Sequence, residues 1–234
     1  MHHGTNARAT RSLLVLAAAY VLLVVASVAA LILLRHSATL RDVAALNPFD
    51  SPESSRRFFS SAPEATRVSG FLGFASAIPL AIYTANIVAR LQCLGVRHAG
   101  VYAAFAGGVA AAGGLAAAGL SLWMLSVPEA AASIPVARTL HFVTFLCGGP
   151  AFAVGFGLLA GGVSVSTHDA QVLPRWVVWF GLAIASTGAL SAFGLLSIPM
   201  TVAIPITRVG GFGWLLAVGA LLPGCSPRVP MKDR

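Results

Sequence analysis

The sequence predicts an all-α fold, a polytopic bundle of six helices that span a membrane. Of its 234 residues, 57% are hydrophobic and only 9% are charged, whereas a soluble domain carries about 25% charged residues. A chain with so little charge cannot cover a surface that faces water, so lipid must be its solvent. The apolar residues also form uncharged runs of roughly 20, enough to cross about 30 Å of hydrocarbon as a helix.

The clearest evidence is a pair of runs in the second half of the chain. Residues 140–166 and 176–196 contain no charged residue, and the step between them holds His168, Asp169 and Arg175. Two such runs joined by a short polar step are typical of a transmembrane hairpin. The strands of an outer-membrane barrel would instead be about 10 residues long and alternate in polarity.

The chain divides into a polar arm over 1–11, a membrane domain over 12–223 with one long loop at 35–67, and a basic tail over 224–234. The first run is longer than the apolar core of a signal peptide, about 7–15 residues, and Arg35 follows it instead of a cleavage site. We therefore interpret it as a retained span. The predicted spans are 12–34, 68–89, 101–125, 140–166, 176–196 and 203–222.

Several spans carry residues that bend helices or let them approach closely. Pro79 in the second span and Gly148-Gly149-Pro150 in the fourth are typical of bent or interrupted membrane helices. Small residues four apart let two backbones come close without a hydrophobic driving force. This spacing occurs at Gly157 and Gly161 in the fourth span, and in the third span at Ala110, Gly114 and Ala118.

The long loop contains a segment that the sequence predicts to lie at the membrane surface. Pro52 follows Ser51 as in the first turn of a short helix, and Phe58-Phe59 follow Arg56-Arg57. Two functions fit the loop. It is either a solvated connector with an interfacial turn, or a lid or partner-docking loop.

The charge balance indicates lipid contact and not nucleic-acid binding. The net charge is +8, but the basic residues fall in the gaps between apolar runs, where they meet anionic head groups. No basic stripe or nucleic-acid motif is present. If the N-terminus is cytoplasmic, eight of the 15 basic residues are inside. The basic residues of short loops influence orientation more than those of a long loop, so this count favours a cytoplasmic position for both termini.

The spans lack the groups that much membrane chemistry requires. They contain no acidic residue and no lysine, so we expect neither a carboxylate-driven pump nor a retinal Schiff base. No catalytic motif or metal site is apparent, and no catalytic residue is predicted. Cys93 and Cys225 lie at helix ends that the favoured orientation places in the cytoplasm, where disulfides are rare.

Three polar side chains at membrane depth are candidate ligand-binding residues: Asn86, His141 and Arg208. Arg208 stands before Gly210-Gly211 at the start of the sixth span, where it either contacts an anion or snorkels as an anchor. We expect Gly148-Gly149-Pro150 to form the opposite wall of a cavity there. Asn86 lies near the cytoplasmic face and His141 near the outer face, so we do not expect them to share one site.

The cofactor is unknown from the sequence, and haem is the one cofactor with any support. A membrane cytochrome needs paired histidines at matching depth, and His36 and His141 lie near the same face. A hydrogen bond at the helix end is the simpler role for His141.

The step Leu173-Pro174-Arg175-Trp176, followed by Gly181 and Gly188, resembles a group of uncharacterised bacterial six-span membrane proteins. The resemblance covers about residues 142–222. It implies a bacterial cytoplasmic membrane and no particular chemistry.

Three functions therefore remain open. The chain is a non-enzymatic subunit, scaffold or binding component whose small-residue faces pack on protein partners or on a second copy. Alternatively, it is a small-solute permease with a cavity among spans two, four and six. The third alternative is a haem protein or other membrane enzyme. A cavity that reaches Arg208 or Asn86 would favour the second.

Overall fold

The computed structural model confirms an all-helical membrane bundle. It describes residues 3–34, 49 and 52–224, and for residues 3–11, 52, 54, 169 and 198 it describes the backbone alone. Within these residues, six helical segments are long and apolar enough to cross a membrane. They are Ser12–Leu33, Pro63–Cys93, Ala99–Met124, Ile134–His168, Arg175–Leu195 and Pro199–Leu221.

Among the described residues, nine α-helices build these segments and their connections. Two of them, α2 (Pro52–Ser60) and α5 (Pro128–Ala132), are short and lie outside the spans. Span four consists of α6 and α7 joined by a π-helical segment, Cys147–Ala151, and span six begins with a 3₁₀ turn, Ile198–Val202. The helices are α1 (His3–Leu33), α2 (Pro52–Ser60), α3 (Pro63–Cys93), α4 (Ala99–Met124), α5 (Pro128–Ala132), α6 (Ile134–Leu146), α7 (Phe152–Ala170), α8 (Arg175–Leu190) and α9 (Ala203–Leu221).

The six spans form a closed ring in chain order. Each span packs on the next, and α1 closes the ring by packing on both α3 and α9. Helix α2 follows the predicted surface segment and packs on α6. We call the end of the bundle that carries α2 the loop side, and the opposite end, with Ser12 and Cys93, the terminal side.

The terminal-side half of the ring is filled. Its large side chains interlock in one apolar core, and the buried Tyr83 hydroxyl donates a 3.0 Å hydrogen bond to the carbonyl of Leu215. This bond ties span two to span six in a region where lipid offers no alternative partner. The core there includes Leu13, Ala17, Ile87, Leu91, Val163, Val177, Trp214 and Val218.

The helix faces that carry small residues pack against other spans of the same chain. A Cβ placed on Gly70 would lie 2.5 Å from the backbone nitrogen of Trp123, and one on Gly119 would collide with the backbone of Phe74. Spans two and three therefore touch backbone to backbone. Gly157 and Gly161 similarly face Ala185 of span five. The close packing that the spacing predicted is real, and neighbouring spans of the same chain provide the partners.

Span four is interrupted where the sequence has Gly-Gly-Pro. Pro150 has no N–H to donate. The amide of Phe152 bonds to the carbonyls of Cys147 and Gly149, and not to the carbonyl of Gly148, which would be its partner in a regular α-helix. A π-bulge of this kind leaves helix carbonyls available to other groups and is frequent at functional sites.

We expect Gly119→Ala to lower the melting temperature of the detergent-solubilised protein. The added methyl forces spans two and three apart, and overpacking of this kind costs about 1–3 kcal/mol. The shift in a domain of this size is on the order of 5 °C. Gly113→Ala is the matched control, because a Cβ there meets nothing within 4 Å. Equal melting temperatures for the two variants would contradict the close approach.

Candidate functional site

A cavity of about 340 Å³ lies within the loop-side half of the ring. Residues of spans one, two, three, four and six line it, so it involves two more spans than the sequence predicted. Its polar lining comes from Ser27 on α1, Ser69 and Ser76 on α3, His141 and Thr144 on α6, and Arg208 on α9. Small-molecule sites in proteins have volumes of roughly 300–1,000 Å³, so this cavity suits a small ligand.

Arg208 lies deeper than the sequence predicted. Because span six begins at Pro199 and not at Val202 or later, Arg208 stands nine residues into the span. At 1.5 Å per residue this is about 14 Å from the loop-side end of the helix. An arginine that anchors a helix at the interface would extend toward the head groups. Arg208 instead points into the bundle.

The π-segment holds the guanidinium group. Arg208 donates from Nη2 to the carbonyl of Gly148, and its Cζ lies 4.8 Å from the ring centre of Phe152. Phe152 is 1% exposed, so this cation–π contact is removed from water. The sequence placed Gly148-Gly149-Pro150 opposite Arg208 across a cavity, and the structure brings the two together.

Arg208 has no anionic partner among the residues that the structure describes. None of the described acidic side chains lines the cavity. The Nε–H of Arg208 is buried without a hydrogen-bond partner, and so is the hydroxyl of Tyr20 on α1, which lies near Arg208. Buried polar groups without partners are uncommon in native proteins, and bound water or an ion often explains them. Tyr20 was missed because an aromatic residue in an apolar run resembles ordinary core.

His141 connects the cavity to helix α2. It lines the cavity, its Nδ1 lies 3.0 Å from the hydroxyl of Ser55, and its ring meets Phe59 edge to face at 5.2 Å. Phe59 is buried in a small core with Leu125 and Ala137. One face of α2 is thereby fixed on the loop-side end of span four, while Arg56 and Arg57 remain exposed on the other.

The other predicted residues do not join this site. Asn86 donates from Nδ2 to the carbonyl of Ile82, 2.8 Å away on its own helix, and does not line the cavity. His36, the second histidine of the haem hypothesis, lies outside the described residues. The described residues contain no group of three or more His, Cys, Asp or Glu that could hold a metal ion.

The cysteines differ from one another. Cys147 is a free thiol in the π-segment. Cys93 takes part in a disulfide, so the expectation of no disulfide at this end of the bundle is wrong for Cys93. Cys225 lies outside the described residues.

Neither protein-family models, nor curated proteins, nor solved structures give a match to this chain. The site must therefore be judged on its own geometry.

We expect His141→Ala to release α2 from the bundle. Removing the ring takes away the bond to Ser55 and the contact with Phe59, and a hydrogen bond alone contributes about 0.5–1.5 kcal/mol. Trypsin should then cleave after Arg56 or Arg57 about fivefold faster, as read by mass spectrometry of the fragments. Phe59→Ala should do the same. The control is Ser60→Ala, because Ser60 is exposed. Unchanged cleavage in both test variants would show that α2 is held by other contacts.

Proposed function

We propose that this protein is a membrane-embedded binding component that holds a small anion at Arg208 in the loop-side cavity. The observation that supports the proposal is an inward-facing guanidinium at mid-depth with a buried, unpartnered Nε–H and no acidic side chain beside it among the described residues. A charged residue inside the membrane costs at least about 2.5–3.5 kcal/mol, and such residues are mostly functional.

The contacts of Arg208 fix its position without neutralising its charge. The carbonyl of Gly148 and the ring of Phe152 are neutral partners. A guanidinium group has five N–H donors in a planar fork that suits carboxylates and phosphates. An anion in the cavity would supply the missing charge, in a setting where few water molecules compete with it.

A permease that binds the same anion is the second candidate, and the cavity that reaches Arg208 favours it, as expected from the sequence. It ranks second because the filled terminal-side half leaves no path across the membrane among the described residues. The cavity lies on one side of a filled terminal-side half, as expected of a carrier seen in one of its two facing states. Spans two and four each contain a proline within the membrane segment, Pro79 and Pro150, where helices bend.

We expect at least one anion from a panel of acetate, phosphate, benzoate and octanoate to raise the melting temperature of the purified protein in a non-ionic detergent. An anion at 100 times its Kd adds about 2.7 kcal/mol of stability. Arg208→Gln should abolish the shift, because it removes the positive charge. Arg208→Lys should retain part of it, because lysine keeps the charge but loses the fork.

Arg175→Gln is the control for a general loss of positive charge, since Arg175 is exposed at the terminal side. The proposal fails if no anion of the panel stabilises the protein, or if Arg208→Gln responds as the wild type does. Arg208-dependent uptake of the bound anion into proteoliposomes would favour the permease. Binding without uptake favours the binding component.

We also propose that the chain resides in a bacterial cytoplasmic membrane with both termini in the cytoplasm. The resemblance at Leu173–Trp176 supports the membrane. The basic residues of the short terminal-side loops support the orientation. Arg208 was one of the seven basic residues counted on the outer side from the sequence. Because it lies at mid-depth, it no longer argues against cytoplasmic termini. The disulfide at Cys93 argues for the reverse orientation, since disulfides persist in oxidising compartments.

Labelling with a membrane-impermeant maleimide decides between the orientations. In the proposed one, Ser60→Cys on the loop side should react in intact bacterial cells made permeable only at the outer membrane. Arg175→Cys on the terminal side should react only after lysis, because a cytoplasmic thiol is out of reach. Both positions are exposed, so reactivity above that of the wild-type protein, which contains the free thiol of Cys147, reports the side of the membrane. The reverse pattern would overturn the orientation and agree with the disulfide.

A further inference from the structure

We propose that the anion held at Arg208 is an amphiphilic carboxylate, with one negative charge and a single apolar chain. This inference rests on the proposed function and specifies its ligand class. It follows from the walls of the cavity, from the way in which its hydroxyl groups are already used, and from the number of its cationic groups.

The walls of the cavity are mainly apolar. They include Val24, Val28 and Leu31 of α1, Leu115 and Leu122 of α4, and Ile204 of α9. A small hydrophilic anion would leave these side chains against empty space or loosely held water. An apolar chain would remove them from water, and each methylene that is buried contributes about 0.8 kcal/mol.

The hydroxyl groups of the cavity are poor donors to a ligand. Ser27 donates to the carbonyl of Ser69 at 2.8 Å, Ser76 to that of Gly73 at 2.6 Å, and Thr144 to that of Leu140 at 2.9 Å. The Ser69 hydroxyl lies 3.0 Å from that of Ser27, and since Ser27 already donates elsewhere, Ser69 is the donor of this pair. What these four groups present to the cavity is therefore mostly oxygen lone pairs. Lone pairs repel the additional oxyanions of a phosphate.

Among the residues that the structure describes, Arg208 is the single arginine or lysine that lines the cavity. One guanidinium matches one carboxylate in charge and in geometry. A phosphate with close to two negative charges would be only half neutralised by this guanidinium, and the four hydroxyl groups would offer it few donors. The volume, about 340 Å³, is near the lower end for ligand sites and suits one short chain better than the two acyl chains of a phospholipid.

The test uses the full-length protein in nanodiscs of phosphatidylcholine and measures Kd for acetate, octanoate and octanamide by isothermal titration calorimetry. Each buried methylene tightens binding about fourfold, so octanoate should bind at least about a hundredfold more tightly than acetate. Octanamide, which has the same shape without the charge, should bind at least about tenfold more weakly than octanoate. In Arg208→Gln the difference between octanoate and octanamide should disappear.

A second arm separates a soluble carboxylate from a lipid head group. Replacing a third of the phosphatidylcholine by phosphatidylglycerol should leave the Kd of octanoate unchanged. A large weakening that persists at high salt, where the negative surface of the discs is screened, would mean that phosphatidylglycerol occupies the site, and it would overturn the proposal.

The other outcomes are equally distinct. Acetate or phosphate binding as tightly as octanoate, with dependence on Arg208, would overturn the amphiphile and leave the anion site intact. Equal binding of octanoate and octanamide would overturn the role of the charge. Failure of every anion to bind would remove the proposed function itself. Leu115→Asn provides a further check, because a polar wall should weaken octanoate and leave acetate unaffected.

Discussion

The hydrogen bond between Arg208 and the carbonyl of Gly148 is the contact on which the loop-side half of the bundle depends. It joins span six to span four at mid-depth, where an unsatisfied charge would be costly. The π-segment makes it available, because the amide of Phe152 bypasses Gly148. The same segment turns Phe152 toward the guanidinium group. In a regular helix through 147–151 the Phe152 amide would bond to the Gly148 carbonyl, so Arg208 would have to share this acceptor.

The two halves of the ring divide structural and binding roles. On the terminal side, large side chains such as Trp214 and Tyr83 fill the centre and hold the spans together. On the loop side, several of the lining residues are small, as with Ser27, Gly73 and Gly149, and a cavity remains. Close backbone contact at Gly70 and Gly119 compensates for the packing that is missing around the cavity. It fixes spans two and three without bulky side chains between them.

The spans could be predicted from the sequence because hydrophobicity over 20 residues is a local property. The sequence also predicted that Gly148-Gly149-Pro150 and Arg208 line one cavity, but as opposite walls, and their direct hydrogen bond was not predicted. The sequence did not predict that Ser27 and Ser69 line the cavity, because the direction in which a residue faces depends on how the spans pack. The early start of span six was missed because Pro199 and Pro205 resemble a connector, whereas a 3₁₀ turn continues into α9. That difference places Arg208 at mid-depth.

The position of His141 couples the cavity to the surface helix. Its ring lines the cavity on one side and meets Ser55 and Phe59 of α2 on the other. A ligand that moves this ring must change the docking of α2, and by thermodynamic linkage α2 must change the affinity of the ligand by the same factor. The exposed Arg56 and Arg57 place the outer face of α2 where head groups or a partner can reach it.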